Sequence, residues 1–147
     1  MRLFNSVIFT LTLLVSVVWF MAARANPYDY PITRIIDGDT VEFKVDFLPK
    51  EFKPYLSLRI LGVDTPEKIP RAQCMEENMK SLNAKLFTEQ EISNATKKQI
   101  IINSWDKYGG RVLGDVILDG VLLSKKLIDK GYAVPYNGGT KKSWCHF

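Results

Sequence analysis

From Ile32 onward the apolar residues of this chain keep a period of two. Val41, Phe43, Val45 and Phe47 fall on one face with Glu42, Lys44 and Asp46 opposite, and after a polar loop bracketed by Pro49 and Pro54 the alternation resumes at Leu56, Leu58 and Ile60. That pattern predicts strands with one face on a core and the other in water. Between Ala72 and Phe87 the period changes. Met75, Met79, Leu82 and Leu86 recur at i, i+4, i+7 and i+11, which predicts an amphipathic helix with these four residues as its core stripe. Gln99 to Trp105 and Arg111 to Leu118 return to strand, and Val121 to Lys130 reads as a second helix ended by Gly131. Three strands, a helix and two strands is the order of an OB-fold barrel. The expected class is therefore mainly β with helices (α+β), a five-stranded OB-fold barrel with two helices.

The first 25 residues stand apart from this pattern. Arg2 is followed by an almost unbroken apolar run from Val7 to Ala23, and Ala23-Arg24-Ala25 has the spacing of small residues that a signal peptidase needs. Residues 1–25 are expected to be a signal peptide and 26–147 the folded domain, exported to a periplasmic or extracellular fate. The competing reading is an uncleaved membrane anchor, because a spanning helix wants about 20 apolar residues. Pro27 to Pro31 reads as a short linker into the domain. Loss of the signal would remove Arg2 and Arg24 and no acid, leaving 18 basic against 16 acidic residues, a net charge of +2. Bulk charge then cannot carry binding to a polyanion, and any such affinity must come from locally placed Lys and Arg.

Export also bears on the two cysteines, Cys74 and Cys145, which an oxidising compartment would join in preference to leaving as free thiols. Closing a loop of that length is worth roughly 4 kcal/mol in the chain-entropy model. Metal ligation by either is disfavoured: neither has a Cys or His partner at ligand spacing, and His146 is the one histidine of the chain.

Three segments carry groups with chemical potential: Asp37-Gly38-Asp39-Thr40, Arg59-Ile60-Leu61-Gly62-Val63-Asp64-Thr65-Pro66-Glu67, and Asp106-Lys107-Tyr108-Gly109-Gly110-Arg111. Carboxylates from separate elements can hold a hard cation, and paired arginines can neutralise a phosphate whose charge grows during attack. Each Asp-Gly or Asp-Thr-Pro alone is ordinary turn chemistry; together they read as phosphodiester hydrolysis. A regular strand would put Arg59 and Asp64 on opposite faces, so Gly62 is the expected bend that brings them to one site.

In order and spelling the three segments resemble the staphylococcal-type nuclease (thermonuclease) family, from about Ile32 to about Asn137. The resemblance implies one Ca²⁺ held by Asp39, Asp64 and the backbone carbonyl of Thr65. It implies Glu67 as the base that activates water, Arg59 on the scissile phosphate, and Arg111 on the transition-state charge and the leaving group. Lys107 and Tyr108 would bind a neighbouring phosphate and Tyr136 would meet a base, while Tyr132 is expected in core packing. This chain has two glycines before Arg111 where the best-known pattern has one, and the loop is expected to absorb the shift.

The function so implied is an exported Ca²⁺-dependent nuclease acting on DNA and RNA with little sequence preference and leaving 3′-phosphates. It would be a monomer without a stable protein partner. The alternatives are a non-catalytic OB-fold module that binds nucleic acid, in which the acidic and arginine positions are typically lost, and a membrane-tethered interaction protein.

Overall fold

The structure, a computed structural model, describes residues 26–146. The expected signal segment lies outside the described residues. Strands β1 (Ile32–Asp37), β2 (Thr40–Lys44) and β3 (Tyr55–Ile60) form an antiparallel meander in which Val41 faces Leu58 and Thr40 faces Arg59. A turn at Leu61-Gly62 leads to the short β4 (Val63–Asp64), then to helix α1 (Met75–Asn94) and the antiparallel pair β5 (Lys98–Trp105) and β6 (Arg111–Leu118). β6 lies parallel to β3, with Val112 opposite Leu58. The chain continues through β7 (Val121–Leu122), α2 (Leu123–Asp129) and β8 (Val134–Pro135), and β8 pairs with β4.

The main sheet runs β1-β2-β3-β6-β5, with β7 attached to β6. This is the α+β class expected, with five strands along the path and two helices among the described residues. The path comes round on itself through one bridge, where Tyr28 and Ile100 exchange both backbone hydrogen bonds at 2.8 Å. The segment expected as a linker is thus part of the closure. Phe43, Leu58, Ile60, Ile100, Leu118, Leu123 and Leu127 fill the interior and are fully buried. Each such side chain contributes about 1.5–3 kcal/mol relative to exposure. Phe47 departs from the expected face. β2 ends at Lys44, so Phe47 falls beyond the ladder and is 55% exposed, tilted against Tyr30.

Helix α1 is real, but its faces are reversed from the expectation. Met75, Met79, Leu82 and Leu86 are exposed, and the buried stripe is Glu77, Ser81, Ala84, Thr88 and Ile92. The reason is what the helix packs against: the β1–β2 turn, which carries backbone polar groups. Gly38 permits the approach, since a Cβ there would lie 2.8 Å from Ala84 Cβ. Thr88 Oγ1 donates to the Gly38 carbonyl at 2.6 Å, and Ser81 Oγ donates to Asn78 O at 2.7 Å. Buried polar groups cost little once hydrogen-bonded, so the close turn is met by small residues and by a hydroxyl on the Gly38 carbonyl, while Ser81 is satisfied by the helix's own backbone.

Cys74 caps the helix N-terminus and is joined by a disulfide to Cys145, 71 residues away, with the Cα atoms 6.2 Å apart. Lys80 Nζ donates to Trp144 O at 2.8 Å and Glu76 pairs with His146, so the tail lies along the first turns of α1. No helix among the described residues is long and apolar enough to cross a membrane.

Candidate active site

The β1–β2 turn delivers Asp39, only 2% exposed, to the end of β3. Its backbone carbonyl accepts from Ile60 N at 2.8 Å, and its Oδ1 accepts from Thr40 Oγ1 at 3.0 Å and Arg59 Nη1 at 3.1 Å. Burial pushes the Asp39 carboxyl above the usual carboxylate range, against the opposing pull of Arg59, Thr40 and Thr65. Gly62, at φ +81°, turns the chain after β3, and β8 then pins β4 with Val134 opposite Asp64. The turn cancels the odd separation in sequence. Arg59 Nη2 stands 3.7 Å from Asp64 Oδ1, so one guanidinium spans both carboxylates.

Asp64 Oδ1 is buried and lacks a hydrogen bond of acceptable geometry. Lys141 Nζ approaches it to 2.7 Å, a good Coulombic contact outside the angular range of a hydrogen bond. An under-coordinated carboxylate oxygen beside a second buried carboxylate, with Thr65 packed next to them, suits a hard cation. Among the described residues no three Asp, Glu, His or Cys side chains converge as a metal cluster. A cation here would rest on Asp39, Asp64, the Thr65 carbonyl and waters, an all-oxygen set of the kind Ca²⁺ accepts.

Beside this corner opens a cleft of about 740 Å³, and Arg59, Glu67, Lys107, Tyr108, Arg111 and Tyr136 all line it. Glu67 is gripped from two sides, by Arg71 Nε and Lys141 Nζ, each at 2.9 Å. Partial burial would raise its carboxyl, but the two cations outweigh burial and hold it below the usual value. Its backbone N–H donates to the buried Glu77 carboxylate at 3.1 Å, which also accepts from Gln73 N at 2.7 Å. Glu77 thereby ties the loop after β4 to α1.

The far wall is the β5–β6 loop. Ser57 N donates to Gly110 O at 2.9 Å and Asp106 N to Arg111 O at 3.0 Å, so the loop with the extra glycine still opens β6 at Arg111, opposite Ser57. Arg111 pairs with Asp106 through Nε and lies over the Tyr108 ring, 4.7 Å from its centroid. Its remaining N–H groups are left for an anion in the cleft. Tyr136 N donates to Gly62 O at 2.9 Å, while Tyr132 stacks on Phe87 at 4.5 Å as a packing residue.

Sequence reasoning missed Lys141, Arg71 and Glu77. The i, i+4 spacing of Glu67 and Arg71 was a signal for that pair, although the segment is not helical. Lys141 sits 74 residues from Glu67, and no local pattern marks it.

The family model described as Staphylococcal nuclease homologue matches residues 57–144, a span that holds Arg59, Asp64, Glu67, Lys107, Arg111, Tyr136 and Lys141 and leaves Asp39 of the β1–β2 turn outside it. A protein named Thermonuclease from Staphylococcus hyicus is 31% identical over 112 residues, covering 76% of this chain and 61% of that protein. The chain thus spans less than two thirds of that relative's length. On the extent of the family match, carried by a segment that runs from β3 to the tail lysine, this chain belongs to the staphylococcal nuclease homologue family.

Proposed function

We propose that the protein is a Ca²⁺-dependent nuclease that hydrolyses phosphodiester bonds of DNA and RNA with little sequence preference. The observation that carries this reading is the convergence of Arg59, Arg111 and Glu67 on one cleft backed by two buried aspartates. A bound Ca²⁺ would supply Lewis-acid neutralisation of phosphate charge. Asp39, Asp64 and the Thr65 carbonyl would hold it.

Glu67, ionised across the neutral range because Lys141 and Arg71 stabilise its charge, takes a proton from the attacking water. Arg59 and Arg111 meet the phosphate oxygens, whose charge is greatest as the nucleophile adds, so they act chiefly on turnover. Departure of the 5′-oxygen, with Arg111 toward the leaving group and a proton taken up from solvent, gives a 5′-hydroxyl and a 3′-phosphate. Lys107 and Tyr108 hold the adjoining phosphate, and Tyr136 offers a ring to a base. With a small net charge, grip on the polymer depends on these local groups rather than on a general field. The protein acts as an exported monomer, in a compartment that maintains the Cys74–Cys145 bridge.

The test is cleavage of single- and double-stranded DNA and of RNA in Ca²⁺ or in excess EGTA, by wild type and Asp39→Ala. Cleavage that needs Ca²⁺ and disappears in a folded Asp39→Ala protein is expected. Full activity in the chelator, or in the variant, refutes the assignment. Binding without any cleavage favours the OB-fold binding module instead.

A further inference from the structure

Lys141 reaches the acid corner from the tail, beyond Gly138 and Gly139, and its ammonium lies 2.7 Å from Asp64 Oδ1 and 2.9 Å from Glu67 Oε1. Two features make this more than a surface ion pair. Asp64 Oδ1 is almost wholly shut off from solvent, and Lys141 is the cation closest to it, with Arg59 Nη2 farther off at 3.7 Å. The lysine is also tethered: four residues beyond it Cys145 is bonded to Cys74 at the start of α1, and Lys80 holds the Trp144 carbonyl in between. A short tether keeps the effective concentration of the ammonium at its site high without any great affinity of its own.

We propose that Lys141 is a built-in competitor for the divalent-cation site, an ammonium that must leave Asp64 before a metal ion can take the same oxygen, held in contention by the Cys74–Cys145 bridge. The inference rests on the Ca²⁺ reading given above. Calcium needs a carboxylate oxygen at roughly 2.3–2.6 Å, and an ammonium already seated on that oxygen both blocks the approach and repels the incoming charge. Arg59 differs from Lys141 in this respect. It springs from near the end of β3, is hydrogen-bonded to Asp39 Oδ1 at 3.1 Å and contacts Asp64 at the longer distance of 3.7 Å, so on the Asp64 oxygen Lys141 is the closer cation. The affinity of the site for metal is thereby set below what its two carboxylates alone would give.

Calorimetric titration of the purified, disulfide-bonded protein with CaCl₂ tests this without reference to catalysis. Lys141→Gln is expected to tighten Ca²⁺ binding about three- to fivefold, the upper part of the scale for losing one partly exposed ion pair. Lys142→Gln removes the same charge from the next residue and is expected to change affinity by less than about twofold, since a change that small is within about 0.4 kcal/mol. Cys74→Ser/Cys145→Ser keeps a capping residue at the start of α1 while releasing the tail. Its affinity should fall between wild type and Lys141→Gln, and adding Lys141→Gln to it should restore the full gain. Equal Ca²⁺ binding by wild type and Lys141→Gln, or weaker binding by the variant, overturns the competitor role and leaves the metal site standing. Absence of Ca²⁺ binding in all five proteins overturns the metal reading itself, and the competitor with it.

Discussion

The two ends of the cleft are made differently. Asp39 and Asp64 are each 2% exposed, hydrogen-bonded or ion-paired to elements of the sheet, and backed by α1 across Gly38. Lys107 and Tyr108 stand on an exposed loop, where Tyr108 is 55% exposed and a Cβ at Gly109 or Gly110 would meet nothing within 4 Å. A small hard ion rewards a corner that cannot relax, because its ligands must meet at fixed distances. A polymer backbone rewards a wall that adjusts. The difference suggests that the acid corner was specified by packing, and the phosphate wall by charge on a forgiving loop.

The largest test of that contrast exchanges the two arginines for lysine. Removing one donor matched to transition-state charge typically costs about 10² to 10³ in rate, and lysine keeps the charge while losing the planar fork. Arg59→Lys in the rigid corner is expected to depress kcat by that factor with little change in KM. Arg111→Lys should do the same if the loop holds its guanidinium as firmly in the complex as β3 holds Arg59. A loss within about threefold, under roughly 1 kcal/mol, would place Arg111 outside the reacting centre and confine the chemistry to the corner.

Packing supplies a smaller effect. Gly38→Ala drives a methyl to 2.8 Å from Ala84 Cβ on a helix that cannot easily yield. Overpacking of this kind costs about 1–3 kcal/mol, and denaturant melts should show it, with weakened Ca²⁺ binding alongside. Gly109→Ala has open space and an unconstrained φ, so its melts should match wild type within about 0.5 kcal/mol. Equal stability of the two variants would erase the distinction between corner and wall.

Smallest is the acid response of the wall. Burial would raise the Asp106 carboxyl, but its hydrogen bond and charge pairing with Arg111 prevail and lower it. A depressed carboxylate stabilises the fold above its unfolded pKa, and that contribution is lost as pH falls through the folded one. Asp106→Asn should therefore lower stability at neutral pH and make the acid limb of the stability curve shallower, because the contribution that wild type loses on acidification is already gone. An unchanged limb would mean the Asp106–Arg111 pair is not maintained in solution.

What the sequence made legible follows from which forces are local. Period-two runs located β2 and β3, the apolar runs at Gln99–Trp105 and Arg111–Leu118 located β5 and β6, and the turn residues located Asp39 and the bend at Gly62. The i, i+4, i+7 stripe located α1 but assigned its faces wrongly, because periodicity records where apolar groups cluster and says nothing of what a helix will meet. Here it meets carbonyls and a glycine, and Thr88 and Ala84 serve better there than leucine. Phe47 was misplaced because the alternation outran the ladder, which stops at Lys44. Among the site groups, residues in short motifs were found. Lys141 and Glu77 were not, since each acts through a contact that only the tertiary fold creates.

The buried side of α1 touches two separate parts of the site. Thr88 is bonded to the carbonyl of Gly38, beside Asp39, and Glu77 to the amide of Glu67. Eleven residues of helix separate the two attachments, about 16 Å at 1.5 Å per residue. A stiff rod fastened at both ends makes their displacements correlated: rocking of α1 on the sheet carries the Asp39 turn and the Glu67 loop together. Thermal motion that would blur either position against the solvent frame leaves their mutual spacing nearly unchanged, and in the reaction proposed above that spacing is the coordinate on which water activation beside a cation would depend.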